Sequence, residues 1–260
     1  MNFARIYGLI LRYNYLLRRN FDRMADAFYW PTIDLFVWGL TGLYVERLAG
    51  NTKIIVAILS GVVLWYIVFR NQGEITVNLL EEFWNDNLIN LFVSPLTFGE
   101  WIVSVLLSGI VKSIIALFFA ATVAFLLYQV NIFVQGFYLI PFAFLLILSG
   151  WFIGLTIAGF VLRYGTKIQF FAWTLVYIFM PFSAVFYPVS TLPTWAGKIA
   201  GLVPMSYVFE GMRQVINTGT FDINKFWISL GLNAVYLIIS IVYIKSSFKK
   251  ALERGLINII

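Results

Sequence analysis

The 260-residue chain contains no cysteine and no histidine, and only 12% of its residues are charged. Without cysteine there is no disulfide, no thiolate nucleophile and no thiolate metal ligand. Without histidine the imidazole base and the common nitrogen–sulfur metal sites are excluded as well. No metal and no cofactor is expected on this chain. Any chemistry would fall to 12 carboxylates, 18 Lys/Arg and the hydroxyl groups. A soluble domain is about one quarter charged, whereas this chain is 61% hydrophobic. Its exterior could not stay wet, which excludes an ordinary soluble enzyme, a disulfide scaffold and a disordered regulator. A polytopic membrane protein remains.

A bilayer core takes roughly 20 apolar residues as a helix. Six runs qualify: 28–45, broken only by Asp34; 54–69; 101–128, which holds Lys112; 133–162; 168–187; and 226–244. They are rich in Leu, Ile, Val, Phe and Ala and do not alternate in ten-residue units, so helices are expected in place of a barrel. The expected fold is an all-α membrane protein with six transmembrane helices, an N-terminal interfacial amphipathic helix and a re-entrant helical hairpin between spans five and six. It divides as 1–25 interfacial helix, 28–69 spans one and two, 70–100 loop, 101–187 spans three to five, 188–225 hairpin, 226–244 span six and 245–260 tail, all one domain. With both termini on the cytoplasmic side, 12 Lys/Arg fall inside and 5 outside, the bias that the positive-inside rule requires. The net charge of +6 thus reports topology. Its scatter over membrane flanks argues against nucleic acid as a partner. The chain opens on an amphipathic, Arg-bearing segment and not on the short apolar core of a signal peptide.

On a helical wheel Phe3, Ile6, Ile10, Tyr13, Leu17 and Phe21 fall within about 80°, while Arg5, Arg12, Arg19 and Arg23 occupy a separate face within about 40°. Such a helix lies along a membrane surface, either as an anchor or as a working part of a gate. Pro31 is expected near the start of the first span, where a missing N–H costs little. Asp34 is costly at membrane depth unless paired or wetted; it is either a headgroup-level carboxylate or a polar group of a gate.

The loop 70–100 holds Glu74, Glu81, Glu82, Asp86 and Glu100 against Arg70 alone, a net charge of −4 on a basic side. Leu79, Leu80, Phe83, Trp84, Leu88, Ile89, Leu91 and Phe92 recur at helical spacing until Ser94-Pro95 ends the run. The expectation is an acidic amphipathic knob whose apolar residues need a cover, with a solvated connector as the alternative. Between spans five and six, Pro188, Leu192-Pro193 and Pro204 break the chain into pieces too short to cross, which suggests a hairpin lining the mouth of a conduit. Glu210 and Arg213 can pair on one helix face. In the fourth span Gly150, Gly154 and Ala158 form a small-residue ridge for close helix approach, within the chain or at a dimer seam. Tyr29, Trp30, Tyr44, Trp84, Trp101, Tyr128, Tyr187 and Trp195 read as interfacial aromatic belts.

The stretch Met180-Pro-Phe-Ser-Ala-Val-Phe-Tyr-Pro-Val-Ser-Thr-Leu-Pro-Thr-Trp195, with Leu202-Val-Pro-Met-Ser-Tyr207 and Glu210-Gly-Met-Arg213, resembles the signature region of type-2 ABC exporter permeases. The segment Asn87-Leu-Ile-Asn-Leu-Phe-Val-Ser-Pro-Leu-Thr97 is similar to the same family's coupling segment. The resemblance spans essentially the whole chain. It implies a permease without a catalytic centre in a prokaryotic cytoplasmic membrane. It also implies a second permease as partner, an identical copy or a paired relative, membrane lipids around the two, and two separate ABC ATPase subunits holding ATP and Mg. The cargo would be amphiphilic: a lipid-linked polysaccharide or other glycoconjugate, a lipid or a drug. By the same resemblance Glu81, Glu82, Phe83, Asp86, Leu88, Leu91, Ser94, Pro95 and Leu96 would dock the ATPase. Arg5, Arg12, Arg19, Arg23 and Asp34 would belong to the gate. Pro188, Leu192, Pro193, Trp195, Pro204, Tyr207, Glu210 and Arg213 would form the outer hairpin. One departure is Lys112, which lies deeper in the third span than the family's usual lysine and either snorkels or meets cargo. The chain has no phosphate-binding loop of its own; Gly165-Thr166-Lys167 echoes one, but Phe160 stands at its first glycine. An ion-coupled secondary transporter would show paired intramembrane carboxylates in two matching halves, and an intramembrane lipid-modifying enzyme would cluster its carboxylates at one depth. Neither pattern is evident.

Overall fold

In this computed structural model the described residues are 1–19 and 21–253, without the side chains of 16–19, 22, 23, 26, 27 and 92. Arg19 and Arg23, two of the expected gate cations, and the tail from 254 therefore lie outside the described side chains. The described residues are all helical or irregular, with no strand. Ten α-helices follow in order: α1 Phe3–Arg19, α2 Phe21–Ala49, α3 Lys53–Trp84, α4 Leu88–Val93, α5 Phe98–Tyr128, α6 Leu139–Tyr164, α7 Phe170–Phe179, α8 Thr194–Ala200, α9 Pro204–Thr218 and α10 Ile223–Glu253.

Among the described residues four helices are long and apolar enough to cross a membrane: α3, α5, the run Ile132–Ile168 that contains α6, and α10. The other two expected spans differ for separate reasons. The first lies in α2, which is long enough, but Trp30, Pro31, Thr32 and Asp34 dilute its apolar stretch. Pro31 falls inside that helix and not at its start, because α2 begins ten residues earlier at Phe21. The fifth is cut short: α7 covers 10 residues, then tightens into a 3₁₀ turn at Met180–Phe182. Pro181 and the left-handed Ala184 (φ 58°) prevent its continuing.

The second expected span runs on beyond its predicted end. Helix α3 continues unbroken for 32 residues, so most of the supposed loop 70–100 is helix, and only 85–97 with the short α4 projects beyond it. Helix α3 packs against α2, α5, α6, α7 and α9, and α6 packs against α10. Gly150 and Gly154 of α6 face Val68, Asn71, Gln72 and Ile75 of α3, so the small-residue ridge serves contact within the chain. Helix α1 lies across α5, burying Ile6, Leu9 and Tyr13 at i, i+3 and i+7 while Phe3, Tyr7 and Tyr15 stay exposed.

Candidate functional site

Two glutamates organise the end of the bundle that carries α4. Glu82, in the last turn of α3, is 2% exposed. Arg12 Nη2 of α1 lies 2.8 Å from its Oε1 and 2.9 Å from its Oε2. Asn87 Nδ2 donates to Oε2 at 2.5 Å, and Tyr13 Oη donates to Oε1 at 3.4 Å. Burial, reinforced by this carboxylate, pushes the Tyr13 phenol above its ordinary range. It therefore stays protonated, donating to Glu82 while accepting from Trp101 Nε1 at 3.0 Å. Glu100, just past α4, is 1% exposed. It accepts from the backbone N–H of Asn2 at 2.6 Å and of Thr97 at 2.9 Å, and Arg5 stands 3.7 Å away. Thr97 and Glu100 form a capping box that starts α5.

The residues expected to dock a partner therefore divide. Glu82, Phe83, Leu88 and Leu91 are buried within the chain. Glu81 and Leu96 are half-buried, and Asp86, Ser94 and Pro95 are exposed together with Val93 at 78%. The knob is not the acidic surface that the count of −4 implied. Glu74, Glu82 and Glu100 are consumed by contacts inside the chain, because each carboxylate meets donors from α1, α4 or α5. An open cleft of about 540 Å³ between α1 and α4 is lined instead by Arg12, Asn85, Asn87, Asn90, Leu91 and Ser94.

At the opposite end of α3 the Pro-broken segment folds back on itself. Pro188 and Pro193 open two short helical turns, the residue before Pro193, Leu192, is extended, and Pro204 is the first residue of α9. Arg213 bonds the carbonyls of Ala184 and Val185 and lies 3.2 Å from Glu210, which accepts from the Val189 N–H at 2.8 Å. The pair expected on α9 thus also braces the turn 184–189. Tyr207 Oη holds the Gly201 carbonyl at 2.9 Å, and exposed Trp195 stands edge-on to Phe182. Replacing Arg213 with alanine removes the brace from a strained turn. A thiol placed at buried Val185 should then react with a maleimide about tenfold faster than in the parent. An equal rate would show that the turn holds without Arg213. The absence of any other cysteine makes the measurement clean.

The family model described as ABC-2 type transporter matches residues 12–217. The chain belongs to the ABC-2 type transporter family. No curated protein matches it. The match runs from the middle of α1 through α9, and so includes both motif regions, the α4 segment and the braced turn. An ABC-2 membrane domain is a permease component and not an ATPase.

Within this ABC-2 permease, polar links tie the apolar helices together. Asp34 of α2 accepts from Tyr66 Oη of α3 at 2.5 Å. Lys112 of α5 donates to both oxygens of Glu74 of α3, at 2.6 and 2.8 Å, so it meets a carboxylate of its own chain. Trp151 Nε1 donates to Asn71 Oδ1 (3.2 Å), Gln72 Nε2 to the Ala172 carbonyl (2.9 Å) and Ser149 Oγ to Asn233 Oδ1 (2.9 Å). Sequence reasoning missed Glu74, Asn71 and Gln72 because it placed them in a loop. The signal was the unbroken helical apolar spacing on both sides of them, with no Pro between Pro31 and Pro95. Glu74 and Lys112 line a cavity of about 100 Å³ whose other walls include Phe28, Phe69 and Trp173. Lys112→Met removes the only cation within ion-pair distance of the Glu74 carboxylate among the described residues and leaves it with the Asn78 amide at 2.8 Å, at only 9% exposure. It should cost about 3 kcal/mol of stability, read as a lower melting temperature in detergent, and Glu74→Gln in the same chain should recover most of the loss.

Proposed function

We propose that this permease is the transmembrane subunit of an ATP-driven exporter of an amphiphile. The assembly would pair two copies of the chain, with both termini cytoplasmic, above two ABC ATPase subunits that hold ATP and Mg. In this reading α2 and α7 complete six spans with the four long helices, and 188–225 is the extracytoplasmic hairpin. The observation that carries the reading is the α4 segment. The short helix α4 is seated on the core by Leu88 and Leu91, and its exposed side presents Val93 together with Asp86, Ser94 and Pro95 of the flanking turns, while a buried hydrogen-bonded network fixes their base. A short, rigidly based outcrop suits reception of a moving partner.

The test uses the ABC ATPase encoded nearest to this chain. It should co-purify with the permease, and ATP hydrolysis should require the ATPase subunit. Val93→Asp and Pro95→Asp, both at exposed positions, should lower its capture at least about tenfold without loss of permease yield. Undiminished capture by both variants would remove α4 from the contact. Cargo movement driven by an ion gradient without ATP would replace the exporter by a secondary transporter.

A further inference from the structure

We infer that Glu82 and Glu100 are positioning residues that join α1 and α4 into one rigid body, so that α1 follows every displacement of α4. The inference rests on the reading of α4 as the element an ATPase moves. It goes beyond that reading by assigning the interfacial helix a mechanical role and naming the side chains that impose it.

The argument starts from cost. An uncompensated carboxylate in a protein interior is unfavourable by several kcal/mol, yet this chain buries two of them, one on each side of α4. Both are answered from α1. Arg12 and Tyr13 meet Glu82; the Asn2 N–H meets Glu100, with Arg5 beside it. Arg5 also donates to the carbonyl of Pro95, which lies between the two glutamates. A single attachment would act as a hinge. Asn2, immediately before α1, and Arg12 within it are ten residues apart, about 15 Å along a helix, and two attachments at that spacing resist rotation as well as sliding. Asn87 ties the near end of α4 to Glu82, and the Thr97 N–H ties the far end of the segment to Glu100, so neither anchor works loose from α4 itself. A helix serving only to rest on a membrane would need its apolar face and its exposed cations, and neither buried carboxylate.

Spin labels on cysteines at Gly8 of α1 and Asn90 of α4, both exposed, Gly8 with no neighbour around its Cα substituent position and Asn90 outside the docking positions, read the α1–α4 separation by electron–electron resonance. The parent complex with its ATPase should give one narrow distance, the same without nucleotide and with ATP trapped by vanadate. Glu82→Gln should lose that single distance while still capturing the ATPase. The exchange Arg12→Glu with Glu82→Arg should restore it. Arg12→Gln, which alters only the half-exposed partner, serves if Glu82→Gln does not fold. A separation that shifts with nucleotide in the parent overturns the proposal, and so does a variant as narrow as the parent. If the parent captures no ATPase, the functional reading falls. The comparison of parent and variant in proteoliposomes then still decides whether the two glutamates hold the helices together.

Discussion

Replacing Gly150 with leucine should keep α3 and α6 from closing on each other, and little folded protein should survive extraction. A Cβ at Gly150 would lie 2.7 Å from the Asn71 Cβ and 2.8 Å from the Val68 carbonyl oxygen, and one at Gly154 would lie 2.7 Å from the Ile75 Cδ1 and 3.0 Å from the Gln72 carbonyl. Backbone oxygens cannot swing aside, so the helices themselves must separate. Asn71 has no room to yield either. Its side chain already accepts from Trp151, and a Cβ at Gly109 of α5 would meet its Oδ1 at 2.8 Å. Three helices converge on that one residue. Overpacking by one or two methylenes costs about 1–3 kcal/mol where side chains can adjust; a leucine against backbone should exceed about 3 kcal/mol. The measurement is the monodisperse fraction on size exclusion after detergent extraction. Gly99→Ala, at a site with nothing within contact distance, is the control. If Gly150→Leu elutes as the control does, the helices are not in contact there.

That contact also marks how far the amino-acid sequence could be read. Small residues at 150, 154 and 158 in an uncharged apolar run have one physical meaning, close approach, and it was legible. The surface approached was not, because α3 lies about 80 residues away in the chain. The amphipathic character of α1 was legible for the same local reason, but its face was only partly so: Ile6 and Tyr13 are buried as expected, Leu9 joins them, Phe3 is exposed, and Phe21 is exposed at the start of α2. The acidic residues of 70–100 were misread because the burial of a carboxylate depends on its partners. Two of those of Glu82 lie 69 and 70 residues away, and one of those of Glu100 lies 98 residues away. One local signal was overlooked. Thr97 followed three residues later by Glu100 is a capping box and announces the start of α5. Pro31 was misjudged because it was taken to open a span whose helix in fact begins at Phe21. Trp101 was assigned to the interfacial belt, where Trp30, Tyr44 and Trp195 are indeed exposed, yet it is fully buried. A belt residue and a core residue look alike in a sequence when both fall at a span's edge.

Trp101→Ala should therefore cost about 3–5 kcal/mol, the range for truncating a large buried aromatic, and the loss should appear at α1 before the rest of the bundle. The indole donates to Tyr13 Oη at 3.0 Å on one side. On the other it lies nearly parallel to Phe98, at a centroid distance of 5.7 Å, and Phe98 in turn stacks on Phe248 of α10 at 4.0 Å. A continuous series of rings thus runs from α1 through the start of α5 to α10, and removing its largest member leaves a void that backbone-anchored neighbours cannot fill. Trp101→Phe separates the two contributions. It keeps a ring beside Phe98 and deletes the donor, while Tyr13 retains its own bond to Glu82, so its cost should be nearer 1 kcal/mol. Thermal denaturation gives the two magnitudes. Proteolysis within α1 gives the location, since α1 should be cut in Trp101→Ala at temperatures where α3 and α6 remain protected. Equal melting temperatures for the alanine and phenylalanine variants would place the stabilisation in the hydrogen bond alone and leave the ring series without a role.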